Sequence, residues 1–263
     1  MPLTLPGYPP EFWIAAIVAV TVVGMAKAGF GSGPGLLATP LIALTIPVAE
    51  AAALLLPLLI VADLISVRHY RRDFDGNSLR VLLPAAVVGI ALGGFFFSYF
   101  SANERILQIG IGLLAVIFVF FQMGRGLLVE SLEGRRPSRW IGHVLGATGG
   151  FTSTLAHAGG PPVVIYLLPQ KLPRHTFVGT TVVAFMAINL IKLVPYSLLG
   201  LLQVDNLLTI LLLSPFAFIG VQLGVWLNRR FSEHWFNVII YTLLLLTGLQ
   251  LILGRSLLGL ILN

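Results

Sequence analysis

The 263-residue chain has no cysteine, and only 10% of its residues are charged. The first absence excludes disulfides, thiolate metal sites and a cysteine nucleophile, while leaving the compartment open. The second excludes an ordinary soluble surface, because 57% of the residues are hydrophobic and apolar stretches recur from Phe12 to Leu253. No Lys or Arg occurs in the first 26 residues. There is thus no basic region ahead of the first apolar stretch, and residues 12 to 28 are expected to be a retained span rather than a cleaved signal peptide. No group of carboxylates or histidines has metal-ligand spacing, and no cofactor is expected.

What is present is a series of apolar segments near the length that crosses about 30 Å of hydrocarbon as a helix. "IGIGLLAVIFVFF" at 109 to 121 is apolar on every face, which excludes the alternating pattern of a transmembrane barrel strand. The formal net charge of +6 has a plain explanation in basic loops beside membrane helices, so nucleic acid is not an expected partner. The bilayer and a small anion are; the oligomeric state is left open.

The two halves echo each other. "LPAAVVGIALGG" from Leu83 matches "SPFAFIGVQLGV" from Ser214, and "GPGLLATPLIAL" from Gly33 resembles "GPPVVIYLLPQKL" from Gly160. Residues 123 to 138 form a polar connector between a first unit, 1 to 122, and a second, 139 to 263. If every apolar segment crosses, Arg68, Arg71, Arg72, Arg80, Arg125, Arg135, Arg136, Arg139, Lys171, Arg174, Arg229 and Arg230 share one side, and only Arg105 and Arg255 the other. If the two Gly-Pro segments instead re-enter as hairpins, the split weakens to nine against five. The positive-inside rule selects the first arrangement.

The expected fold is therefore an all-α integral membrane protein with about ten transmembrane segments in two inverted five-span repeats. The spans fall at about 12–28, 33–46, 50–67, 79–99 and 104–122, then 139–157, 160–170, 176–199, 206–227 and 235–253. Both termini lie outside and the connector is cytoplasmic, in a cell inner membrane.

Segments 33–46 and 160–170 are too short, since 14 helical residues reach only about 21 Å at 1.5 Å each. Glycine-rich chain, "GFGSG" and "HAGG", precedes them and supplies non-helical backbone. Such backbone is tolerated at membrane depth only inside protein or beside water. A matched pair of Gly/Pro-interrupted segments points to a transporter's binding site, with N–H groups of the half-helices available to an anion. Small residues also let membrane helices pack closely, but two such stretches in corresponding positions favour the site. Pro34 and Pro161 suit the first helical turn, and Ser32 the cap before it.

Ionisable and polar residues inside spans are expensive and so become candidates. Lys27 either snorkels to the cytoplasmic interface or lines the site. Asp63 either pairs with Arg68 or another basic neighbour, or carries a coupled proton. Lys192, deep in "MAINLIKLVPY", needs Asp63 or a bound anion as partner. His157 donates to an anion, carries a proton, or simply packs. Gly31, Ser32, Gly33, Gly35, Ser153, Thr154, Gly159, Gly160 and Asn189 complete the candidate anion site, although Thr152, Ser153 and Thr154 also have their own helix carbonyls to bond.

These residues resemble a known family. "AGFGSGPGLLATPL" looks like the first-half glycine motif of the TauE/SafE, or sulfite exporter, family, and "GGFTSTLAHAGGPPVVIYLLPQKLPRHTFVGTTVVAFMAINLIKLVPY" like its second-half signature. The resemblance implies transport of sulfite, organosulfonates or related small anions, with the substrate site at Gly31 to Gly35 and His157 to Pro161. Many members carry more glycine where Ser32 and Pro34 stand, and a small amide where His157 stands.

The expected function is export of a small sulfur-containing anion such as sulfite or a sulfoacetate-like sulfonate, by alternating access. An anion channel with the same site is the alternative; an intramembrane hydrolase using Ser32 and His157 is a remoter one. Cysteines introduced near Glu133 and Asp205 should react with an impermeant maleimide from opposite faces of the membrane. Labelling of both from one face would dispose of the inverted arrangement.

Overall fold

The computed structural model describes residues 7–27, 34–70, 72–101, 103–132, 137–203, 206–228 and 233–255. The expectations at Gly31, Ser32 and Gly33 lie outside the described residues. In chain order the helices are α1 (Pro10–Met25), α2 (Ala38–Ile42), α3 (Val48–Tyr70), α4 (Gly76–Ser101), α5 (Glu104–Leu132), α6 (Arg139–Ala156), α7 (Gly160–Leu167), α8 (Arg174–Leu198), α9 (Leu207–Asn228) and α10 (Glu233–Leu253). Among the described residues there is no strand. A tight 3₁₀ turn, Pro34–Leu37, leads into α2, and another, Leu168–Gln170, follows α7.

Five helices, α3, α4, α5, α8 and α9, are long and apolar enough to cross a membrane. The chain is thus all-helical and of the membrane-spanning kind. Helix ends follow local chemistry: Ser138 caps α6 by accepting from the Ile141 N–H at 3.3 Å, and Asp75 accepts from the Ser78 N–H at 3.0 Å at the start of α4. Two expected boundaries shift. Helix α5 continues to Leu132, through chain expected to be a polar connector, since residues 123 to 132 tolerate Gly124 and Gly126 and contain no proline to stop it. The 33–46 segment is less helical than expected: five α-helical residues end in a turn before Pro47, where the residue preceding a proline is disfavoured in α conformation.

The packing pairs α1 with α9 and α4 with α6, α3 with α8, α5 with α10, and also α3 with α9 and α4 with α8. Exchanging each of α1–α5 with its counterpart in α6–α10 returns the same set. The correspondence reaches single atoms. A Cβ placed on Gly150 would lie 2.2 Å from the Ala86 carbonyl oxygen, and one on Gly24 would lie 2.6 Å from that of Ala217. A Cβ on Gly89 would meet the Ala147 oxygen at 1.9 Å, and one on Gly220 that of Thr21 at 2.3 Å. Gly150 and Ala147 each stand 126 residues after Gly24 and Thr21, while Ala217 and Gly220 each stand 131 after Ala86 and Gly89. Close backbone approach through small residues is how membrane helices gain contact where apolar burial supplies no drive.

The interior is polar where the exterior is not. Asp63 and Lys192 have no exposed surface, whereas Phe95, Leu211 and Trp140 are among the outward-facing side chains and are more than half exposed. Water would reverse that distribution; hydrocarbon favours it.

Gly150→Val should lower the thermal midpoint of the detergent-purified protein, with a destabilisation of about 1–3 kcal/mol or more, because its new atoms would meet backbone that cannot move aside. Gly110→Val is the control, since nothing lies within 4 Å of a Cβ there. Equal loss in both variants would contradict the tight α4–α6 contact.

Candidate functional site

Helices α3 and α8 place Asp63 and Asn189 at the sixteenth residue of each. The two meet: the Asn189 amide donates to Asp63 Oδ2 at 2.7 Å. Asp63 Oδ1 receives the Lys27 ammonium, which also donates to the Leu59 carbonyl at 3.2 Å. Both carboxylate oxygens are thereby engaged, as a buried charge requires. Arg68, five residues further along α3, is exposed and faces away. Five residues turn a helix by roughly 140°, so the partner comes from α1's end instead.

Lys192 lies one turn beyond Asn189 and is fully buried. Its ammonium donates to Ser153 Oγ at 3.3 Å, Asn189 Oδ1 at 3.4 Å and His157 Nδ1 at 2.6 Å. All three acceptors are neutral. Of the two partners the sequence offered Lys192, Asp63 or a bound anion, Asp63 is reached through the Asn189 amide, whose oxygen faces the lysine and whose nitrogen faces the carboxylate. The Tyr196 ring lies 5.7 Å from the ammonium, close enough for a cation–π attraction. The Tyr196 hydroxyl donates to the Thr154 carbonyl at 2.8 Å.

His157 caps α6 in the left-handed conformation, φ 53°, unusual for a side chain of its size. Contacts on both ring nitrogens hold it there. Nδ1 accepts from Lys192, and Nε2 stands 2.9 Å from the Ala52 carbonyl. A carbonyl only accepts, so Nε2 carries the hydrogen and Nδ1 offers its lone pair to the ammonium: the imidazole is neutral. Both ring nitrogens are therefore occupied, which disfavours His157 as the general base of a hydrolase.

The break after α6 closes tightly. A Cβ on Gly159 would lie 2.7 Å from the Gly149 oxygen and 3.0 Å from the Ser153 Cβ, so Gly159 brings the start of α7 against the serine that serves Lys192. Gly160 opens α7, followed by Pro161 and Pro162. Those prolines have no N–H. The expected row of helix-start donors is thus thinner than at an ordinary N-terminus, consisting of the Gly159 and Gly160 amides.

The other candidates divide. Ser153 joins the cluster, whereas Thr154 and Thr152 bond carbonyls of their own helix, Gly150 at 2.9 Å and Thr148 at 2.8 Å. Gly35 lies in the 3₁₀ turn after the first break. That first region is tied to the second through Thr39, whose hydroxyl donates to the Ala156 carbonyl at 3.0 Å. The sequence reading passed over Tyr196 and the Ala52 carbonyl. Tyr196 stands one helical turn after Lys192, a spacing that signals a shared face. No comparable signal marks Ala52. Among the described residues no group of His, Asp and Glu is arranged to hold a metal ion.

A helical membrane protein with buried ionisable side chains beside a broken helix has the build of a transporter. The family profile described as "Sulfite exporter TauE/SafE" matches residues 16–251. The chain belongs to the TauE/SafE sulfite exporter family. No curated protein and no solved structure matches it.

Asp63→Ala should cost about 3–5 kcal/mol of stability, since it strands the Lys27 ammonium inside the protein. Lys27→Met/Asp63→Asn, which removes both charges and keeps the Asn189 contact, should recover most of that loss in a thermal melt. A double variant as unstable as the single one would show that the pair is not coupled.

Proposed function

We propose that the protein is an exporter of a small sulfur-containing anion, sulfite or a short organosulfonate, held at the Lys192 cluster and moved by alternating access. One observation carries this reading: Lys192 is a fully buried ammonium whose partners are all neutral, while the neighbouring Lys27 has a carboxylate of its own. A buried charge without a counter-ion is costly, and an incoming anion would relieve that cost. Ser153, the Asn189 amide, Lys27 and the Gly159 and Gly160 N–H groups surround the same spot as further candidate donors.

The exchange pattern in the helix packing supports two structurally related halves, and the charge split of the loops supports their inversion across the bilayer, with ten spans. On that reading Asp63 and Asn189 are equivalent positions facing each other across the pseudo-axis. Rocking one half against the other would then open the cluster first to the cytoplasm and next to the exterior. The complete burial of Lys192 and Asp63 favours an occluded carrier over an open channel. Asp63 or His157 would carry any coupled proton, His157 only once Lys192 has turned to the anion and freed Nδ1. Gly31, Ser32 and Gly33, on the first break, belong to the proposed site through their correspondence with the second.

Calorimetric titration of the purified protein with sulfite, sulfoacetate, taurine, acetate and sulfate tests the proposal. Saturable binding of a sulfur oxyanion or sulfonate is expected, weaker by about a hundredfold in Lys192→Ala, the scale on which removing one partner of a buried charge pair acts. Binding that survives the substitution unchanged would overturn the site. Accelerated exchange of labelled anion by unlabelled anion across sealed vesicles would separate the carrier from a channel.

A further inference from the structure

Resting on the anion site just proposed, we infer that the cluster counts charge: it takes an anion bearing a single negative charge, such as hydrogensulfite or a monosulfonate, in preference to a dianion. Counted at their formal charges, Lys27 and Lys192 contribute two positive charges and Asp63, paired with Lys27, one negative. His157 contributes none, because a carbonyl faces one ring nitrogen and an ammonium the other. Residues 28 to 33, Ala-Gly-Phe-Gly-Ser-Gly, contain no ionisable side chain. The partial charges of the broken helices oppose each other, since α6 ends and α7 begins at the same place.

The sum is one positive charge in a buried interior. A monoanion brings it to zero. A dianion leaves one negative charge uncompensated, and an uncompensated charge away from water is what low dielectric penalises most. Asp63 is the residue that sets the count: with its carboxylate fully engaged by Lys27 and Asn189, only the second lysine remains for the ligand.

The test compares methanesulfonate with sulfate, two small sulfur oxyanions that differ in charge, by calorimetry on the full chain in lipid nanodiscs. The wild type should bind methanesulfonate more tightly by about tenfold or more. Asp63→Asn raises the count to two positive charges and should reverse the order. Lys27→Met/Asp63→Asn restores one positive charge and should restore the monoanion preference. If Asp63→Asn does not fold, the wild type and the double variant carry the comparison, both with methanesulfonate ahead.

Sulfate preferred by the wild type, or an order indifferent to the charge count, would overturn the inference while leaving a Lys192-dependent anion site standing. No binding of either anion by the wild type would overturn the inference as well. If the sulfite and sulfonate titrations are also blank, the site itself fails.

Discussion

The constraint on which the rest depends is the burial of two ammonium groups with one carboxylate between them. In hydrocarbon or dry protein an unpaired charge costs several kcal/mol even after relaxation, so each of these groups dictates what must stand next to it. Asp63 meets the demand of Lys27 directly, and Asn189 passes the remaining polarity to Lys192. Because the carboxylate and the amide, each the sixteenth residue of its helix, are hydrogen-bonded, α3 and α8 must approach each other at that level and in that rotation. The α3–α8 packing is thus as much a matter of charge as of shape.

The close glycine contacts make that approach possible. Helices α4 and α6 on one side, and α1 and α9 on the other, touch backbone to backbone, and their positions bring the end of α1 and the end of α6 toward the same interior point. Lys27 and Ser153 occupy those ends. They too stand 126 residues apart, the separation that relates Gly24 to Gly150. One half supplies a cation at this level and the other a hydroxyl. On the proposed reading, a repeated frame with differing side chains would give a site that closes from both halves yet holds a net charge.

Much of the frame was legible in the sequence because a bilayer sets helix length. The span read at 176–199 is the helix Arg174–Leu198, and that read at 206–227 is Leu207–Asn228. The first is bounded in sequence by Pro173 and Gly200, the second by Asp205 and the pair Arg229 and Arg230. The site was legible only as a set of residue types. Asp63 had Arg68 as a near neighbour along the chain and Lys27 at a distance of 36 residues, and only the rotation of α3 decides between them. The relay through Asn189 depends on which end of an amide faces which helix. His157 owes its left-handed backbone to the sharp turn between α6 and α7, and its tautomer to a carbonyl on α3. None of these is a local property of sequence.

The prolines at the second break bear on how an anion would be released. An ordinary helix N-terminus offers several aligned N–H donors and holds oxyanions firmly. Helix α7 begins Gly-Pro-Pro, so two of those donors are missing. What remains is a weaker backbone cradle and one strong, mobile donor in Lys192, whose ammonium already has neutral acceptors waiting in Ser153, Asn189 and His157. On the proposed reading, those acceptors would take the ammonium back when an anion left, lowering the cost of the empty state. A carrier must bind its cargo and also give it up. A site of few backbone donors around a lysine with its own resting partners meets both requirements, whereas a full helix-start nest would favour only the first.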